Sequence, residues 1–382
     1  MTRRIARTTW RQVAMALGAG CALALSPCAF GADDLADQAG RTARKWLADL
    51  PQGYSARYDG QRRLLYLSAL DENHLRETMQ LLAAYTDAQR AYLLKSPLTW
   101  NVTILLPTAA DYRRFRPGES VNGFYRNEDR TLISLDRGRV LVHEFTHALH
   151  DADASAAGQI HPVWICEGLA TLFDSAHIGQ EGLELRTCDR LLTLQRAIRL
   201  GTTIPLDKLV SMGQERFLRE ADLCYAESRY LLLYLHESGV LAKWYEAYKD
   251  GYSEDSTGKR ALEKTLGKRL FQVEDDWKKW VAAQKLPWGE LSRGQARLGA
   301  ELQDDPQGAK VVSLIRGGSA ERAGRIRAGD VIREFNGHAV RNAAELVNAI
   351  RAAGAKQTVT IRLVRNGQAL SIDQPLGSPA DD

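Results

Sequence analysis

Acidic residues are missing from the first 31 positions, which hold Arg3, Arg4, Arg7 and Arg11 but no Asp or Glu. That gap accounts for the whole formal charge of +4, because 47 of the 51 basic side chains remain beyond it to face 47 acids. A chain so balanced after its first segment offers no electrostatic reason to bind nucleic acid or an anionic membrane. Apolar runs of spanning length are also absent. The run at 13–25 has about thirteen residues, against roughly twenty for a bilayer helix. With the basic start before it and the small residues around Ala29-Phe30-Gly31 after it, residues 1–31 read as an export signal cleaved after Gly31, an uncleaved anchor being the alternative. The mature protein is expected in a bacterial periplasm or outside the cell, with no stable membrane span.

Cysteine is scarce, with five in the chain and only Cys166, Cys188 and Cys224 beyond residue 31. An odd number in an oxidising compartment suggests one pair and one leftover. A bridge between Cys188 and Cys224 is the expectation, with Cys166 a buried thiol. Hydrophobic residues make up 45% of the chain, enough for ordinary cores, and 382 residues suit two domains plus a processing segment.

The most informative motif is His143-Glu144-Phe145-Thr146-His147, set in the apolar stretch 140–149. On a helix, residues four apart share a face, so both imidazoles can hold one metal ion with Glu144 beside the open coordination position. Zinc with three protein ligands keeps a fourth site for water, which a nearby carboxylate can deprotonate. Glu167, in a second helical stretch at 167–176, is the best candidate for the third ligand. Asp153, six residues after His147, competes, but the glycine turn that would present it is lacking, since His150 stands there. His150 and His161 read as surface histidines or as neighbours of the ligands.

Trp164-Ile165-Cys166-Glu167-Gly168-Leu169-Ala170 follows the first motif, and together they resemble the gluzincin superfamily of zinc metallopeptidases. There H-E-x-x-H is completed by a glutamate inside W-x-x-E-G-x-A. The resemblance implies His143, His147 and Glu167 as ligands to one zinc ion and Glu144 as the base. Tyr225-Ala226-Glu227-Ser228-Arg229-Tyr230 resembles the segment whose leading tyrosine stabilises the tetrahedral intermediate, which gives Tyr225 that role. It also implies an α+β fold, with a small sheet above the zinc-binding helix and a helical lower half.

The periodicity agrees with that order. Residues 33–50 and 73–94 read as helices, 64–68 and 100–106 as strands, 109–115 as a short helix, and 123–127 with 131–135 as a hairpin leading to the motif helix. Residues 131–135 are a candidate edge strand for pairing with peptide, an interior strand being the alternative. From 167 to 284 nearly everything reads as helix, including 190–200, 220–237, 241–249 and 271–283. Trp244, Tyr245, Tyr248, Trp277 and Trp280 recur at helical spacing and read as core.

After Leu286-Pro287-Trp288-Gly289 the pattern changes to short strands and glycine turns. Gly317-Gly318-Ser319-Ala320-Glu321-Arg322-Ala323-Gly324, followed by Gly329-Asp330-Val331-Ile332-Arg333-Glu334-Phe335-Asn336-Gly337, resembles the bacterial-type PDZ domain. The resemblance implies a small β-rich domain at 294–376 after a metallopeptidase domain at 33–287. It also implies a carboxylate-capturing loop at Arg297-Leu298-Gly299-Ala300, whose residues Leu298, Gly299 and Ala300 would meet a C-terminal peptide ligand. The function these motifs suggest is zinc-dependent hydrolysis of a peptide or protein substrate, with endopeptidase action favoured because no G-x-M-E-N segment supplies an anchor for an α-amine. A related aminopeptidase and an inactive PDZ adaptor are the alternatives.

Overall fold

The computed structural model describes residues 32–377 apart from 117, 119–120, 180–181, 286–295 and 354–356. The export segment and the break at Leu286-Pro287-Trp288-Gly289 lie outside the described residues.

The first part comprises helix α1 (Ala32–Asp49), strands β1 (Ser55–Asp59) and β2 (Leu64–Ser68), helix α2 (Glu72–Tyr92), strand β3 (Val102–Leu106), the short α3 (Ala109–Tyr112), and strands β4 (Gly123–Arg126) and β5 (Thr131–Ser134). They form one sheet in the order β1-β2-β3-β5-β4, with β2, β3 and β5 parallel and the two outer strands antiparallel to their neighbours. Every residue of β2, β3 and β5 is buried, which suits strands covered on both faces. Leu65, Leu67, Leu105 and Ile133 pack with Leu50, Tyr112 and Trp46 on one face. Tyr66, Ile104 and Leu132 join the main core on the other.

Strand β5 is therefore interior, and β4 is the edge strand on that side of the sheet. Of the two readings of 131–135, the interior strand is the one observed, and the edge strand is not. The cause is visible in the side chains: Leu132 and Ile133 each meet a different core, whereas Phe124, Tyr125 and Arg126 of β4 are only half-buried.

Beneath the sheet lie α4 (Arg139–Ala156), α5 (Val163–Phe173), the hairpin β6 (His177–Gly179) and β7 (Gly182–Glu184), then α6 (Arg190–Leu200), α7 (Leu206–Val210), α8 (Gln214–Arg219), α9 (Ala221–Glu237), α10 (Leu241–Asp250), α11 (Lys259–Leu266) and α12 (Leu270–Ala283). Helix α5 begins after Pro162, so Glu167 stands about one turn inside it rather than opening it. The β6–β7 hairpin interrupts the stretch read as helical. Trp244, Tyr245, Tyr248 and Trp277 are fully buried in the main core, and Trp280 packs at its margin beside Tyr234.

The expected bridge between Cys188 and Cys224 is not formed, and all three cysteines beyond residue 31 are free. Cys188 is tied to Tyr230, whose hydroxyl accepts its amide N–H at 2.9 Å. Tyr230 lies six residues along α9 from Cys224, roughly 9 Å of helix. Cys224 instead points its thiol at Met212 Sδ, 3.8 Å away.

The C-terminal part contains β8 (Ala300–Asp305), β9 (Gly308–Leu314), α13 (Ser319–Ala323), β10 (Val331–Phe335), β11 (His338–Ala339), α14 (Ala343–Ala353), β12 (Thr358–Arg365) and β13 (Gln368–Pro375). Its sheet runs β13-β12-β10-β9-β8, with β11 paired to β10, around a separate core of Leu298, Val311, Ile332, Leu346 and Ile361. The chain is thus α+β: a mixed sheet on a helical half, followed by a small β-rich unit.

Candidate metal centre

Helix α4 places His143 and His147 one turn apart, and α5 brings Glu167 across to them. Tight packing of α5 on α9 fixes that approach, because a Cβ on Gly168 would lie 2.9 Å from Leu232 Cδ1 and 3.3 Å from the Ser228 carbonyl oxygen. The three ligand atoms converge. His143 Nε2 and His147 Nε2 are 3.2 Å apart, and Glu167 Oε2 is 3.2 Å from the first and 3.5 Å from the second. Donors about 2.0–2.1 Å from a tetrahedral zinc ion lie roughly 3.4 Å from one another. Glu167 Oε2 is also buried with no hydrogen-bond partner among the described residues. Two imidazole nitrogens and an orphaned carboxylate oxygen at this spacing fit a cation.

Burial lowers the His143 pKa, but Asp174 and Glu167, with Glu144 nearby, outweigh it and leave it well above the usual histidine value. Burial opposes ionisation of Glu167, yet His147 and His143 hold its carboxyl well below the usual range. The site is thus polarised to exchange protons for a positive ion.

Asp174, just past the end of α5, was not singled out in the sequence. Its carboxylate lies 3.4 Å from His143 Nδ1 and is bound by Arg139 and Arg190 at 3.2 and 3.1 Å. A buried carboxylate accepting Nδ1–H leaves Nε2 free to face the ligand cluster. The signal available in the sequence was Asp174 standing seven residues after Glu167, two turns along the same side of a helix.

Glu144 Oε2 accepts the Tyr125 N–H of the sheet edge at 3.0 Å, which holds the carboxylate between β4 and the metal ligands. The Tyr225 ring lies edge-on to that of His143, 6.2 Å between centroids. Burial, then the carboxylates of Glu167 and Glu144, push the Tyr225 phenol well above its usual pKa, so it stays a proton donor. Beside Tyr225 a cleft of about 360 Å³ opens, lined by Arg139, Asp189, Arg190, Thr193 and Asp222.

The competing candidates lie elsewhere. Asp153 is buried against Tyr245 Oη at 3.0 Å, Lys249 Nζ at 3.3 Å and the Ser96 N–H at 3.0 Å. His150 and His161 are bonded to each other at 2.7 Å and buried rather than superficial. In the C-terminal unit, Leu298 is buried, and its carbonyl accepts the Ala320 N–H at 2.9 Å. Gly299 has φ +74°, and a Cβ there would lie 2.7 Å from the Ser319 nitrogen, so only glycine fits. Ala300 begins the edge strand β8.

Residues 296–376 match the family model for a PDZ domain, and the C-terminal unit is such a domain. The chain is 28% identical over 116 residues to the periplasmic pH-dependent serine endoprotease DegQ of Escherichia coli (strain K12), covering 28% of this chain and 25% of DegQ. It is 32% identical over 78 residues to a probable periplasmic serine endoprotease DegP-like of Hahella chejuensis (strain KCTC 2396), covering 20% and 16%. The chain therefore spans no more than a quarter of the length of these two relatives. An aminopeptidase N family protein from Idiomarina loihiensis is similar in structure with a TM-score of 0.33 and 13% identity, covering 86% of this chain and 67% of that one. Among the described residues, no helix is long and apolar enough to cross a membrane.

Proposed function

We propose that this chain is an exported zinc-dependent peptidase of gluzincin type, acting as an endopeptidase, with a peptidase domain at 33–287 and a PDZ domain at 294–376 that binds C-termini. The observation that carries this reading is the convergence of His143 Nε2, His147 Nε2 and Glu167 Oε2 within 3.2–3.5 Å of one another. A zinc ion held by these residues would lower the pKa of a bound water to about 7 and polarise the scissile carbonyl. Glu144 takes the proton from the attacking water and passes it to the leaving amine. Tyr225 donates its phenolic hydrogen to the developing oxyanion. Asp174 holds the His143 ring in the tautomer that presents Nε2. The periplasm or the cell exterior is the place of action, reached through the signal at 1–31.

Mass spectrometry of a diverse peptide library incubated with the purified protein tests the reading. Internal cuts should vanish with a chelator and return with zinc. Cuts that persist after full chelation refute it.

A further inference from the structure

We infer that the substrate is a polypeptide held by its own free C-terminus in the PDZ domain and cut a fixed distance upstream, an inference that rests on the peptidase reading above. Two strands at sheet edges carry it. In the PDZ domain β8 is the edge strand, and it starts beside the amides of Leu298 and Gly299, which bond to no other described residue. In the catalytic half β4 is the edge strand, and its Tyr125 N–H points away from β5 to Glu144. A Cβ on Gly123 would lie 2.7 Å from Val140 Cγ1 and 3.4 Å from Glu144 Cγ, so this edge runs directly along the candidate catalytic helix.

The two edges meet end to end. Asp304, near the end of β8, accepts a hydrogen bond from the Asn122 side chain at 3.4 Å, and Asn122 immediately precedes β4. The other carboxylate oxygen of Asp304 caps the start of α14 through the Ala343 N–H at 2.8 Å. The loop ahead of α4 packs on the same spot, since a Cβ on Gly138 would come within 2.4 Å of Asn342 Nδ2 and Glu345 Oε1. Arg333 of β10 touches His74 of α2.

Strand polarity then decides the path. A peptide whose carboxylate meets Leu298 and Gly299 must run upstream from Ala300 towards Asp304, antiparallel to β8. Continuing upstream it reaches Asn122 and passes Gly123, Phe124 and Tyr125 in that order, so it is antiparallel to β4 as well. One uninterrupted chain can follow both edges with a single N-to-C direction. With one ligand residue opposite each strand residue from Ala300 to Asp304 and from Asn122 to Tyr125, the scissile bond falls roughly eight to ten residues from the carboxylate. The geometry selects substrates with an accessible, extended C-terminal tail.

The test uses the full-length, zinc-loaded protein and three peptides of about 24 residues: one with a free carboxylate, the same sequence amidated, and the acid with four Gly/Ser residues inserted three positions from its end. Cut positions and kcat/KM are read by mass spectrometry. The main cut in the acid should fall about eight to ten residues from the end. Amidation should lower kcat/KM at least tenfold. The insertion should move the cut four residues along the sequence, keeping its distance from the end. Cuts that stay at the same sequence position in all three peptides, at similar rates, overturn the inference while leaving the peptidase reading standing. The absence of any cut overturns both.

Discussion

Replacing Asp174 with Asn tests the carboxylate that stands behind the candidate ligand His143. Asp174 touches His143 Nδ1 at 3.4 Å and is almost wholly buried, while Arg139 and Arg190 hold it from the other side. The Asn variant keeps the shape but removes the charge that favours Nδ1–H and replaces one acceptor oxygen with an NH2 donor among groups that all donate to Asp174. Removal of a carboxylate behind a metal-binding histidine typically costs 10- to 100-fold in affinity, about 1.4–2.7 kcal/mol. Both arginines would also lose a buried counter-ion, so the metal-free protein should melt at a lower temperature. Competition with a chromophoric chelator measures zinc affinity, and circular dichroism of the metal-free form separates folding from binding. A variant that folds, melts lower and binds zinc as tightly as the original would falsify the orienting role.

Four other expectations follow from the same geometry. Tyr225→Phe should lower kcat about a hundredfold or more with little change in KM, as loss of an oxyanion donor does, and steady-state kinetics on a cleaved peptide checks it. Gly168→Ala should destabilise the fold, because overpacking against Leu232 and the Ser228 carbonyl, about 1–3 kcal/mol, exceeds the roughly 1 kcal/mol gained in helix propensity; urea denaturation reads the balance. Burial raises the Glu227 carboxyl from 4.5 to about 8 in the folded state, so the native protein keeps a proton that the unfolded chain has lost. Stability should therefore fall as pH rises from about 4.5 to about 8, by up to about 1.4 kcal/mol per unit, and Glu227→Gln, which can still accept the Ile204 N–H, should melt higher than the original at pH 8.5 but not at pH 4. N-terminal sequencing of the exported protein should begin at Ala32, and an intact Met1 on the exported form would contradict the signal assignment.

What the sequence discloses is what repeats or is local. The i, i+4 histidines of α4 need only helix geometry, and the glycine pattern of the PDZ domain needs only its turns, so both are readable along the chain. The ends of α6 and β2 coincide with their periodic patterns, 190–200 and 64–68. Strand order is another matter. β4 and β5 read alike as a hairpin, and only pairing with β3 makes β5 interior. The β6–β7 hairpin has strands of three residues, too short to show a period of two. Asp174 meets His143 across 31 positions of sequence, and no periodicity connects them. The cysteines mislead because their count says nothing of direction: the Cys188 thiol meets Arg139 Nη2 at 3.7 Å, whereas that of Cys224 meets Met212.

If His143, His147 and Glu167 hold a catalytic zinc ion for which Glu144 is the base, loss of the Glu144 carboxylate must separate metal binding from turnover. The direct test is Glu144→Gln, measured for zinc content and for peptide cleavage beside the unmodified protein. One zinc per chain is expected in both, with internal cuts only in the unmodified protein. Equal cleavage by the zinc-loaded variant would contradict it.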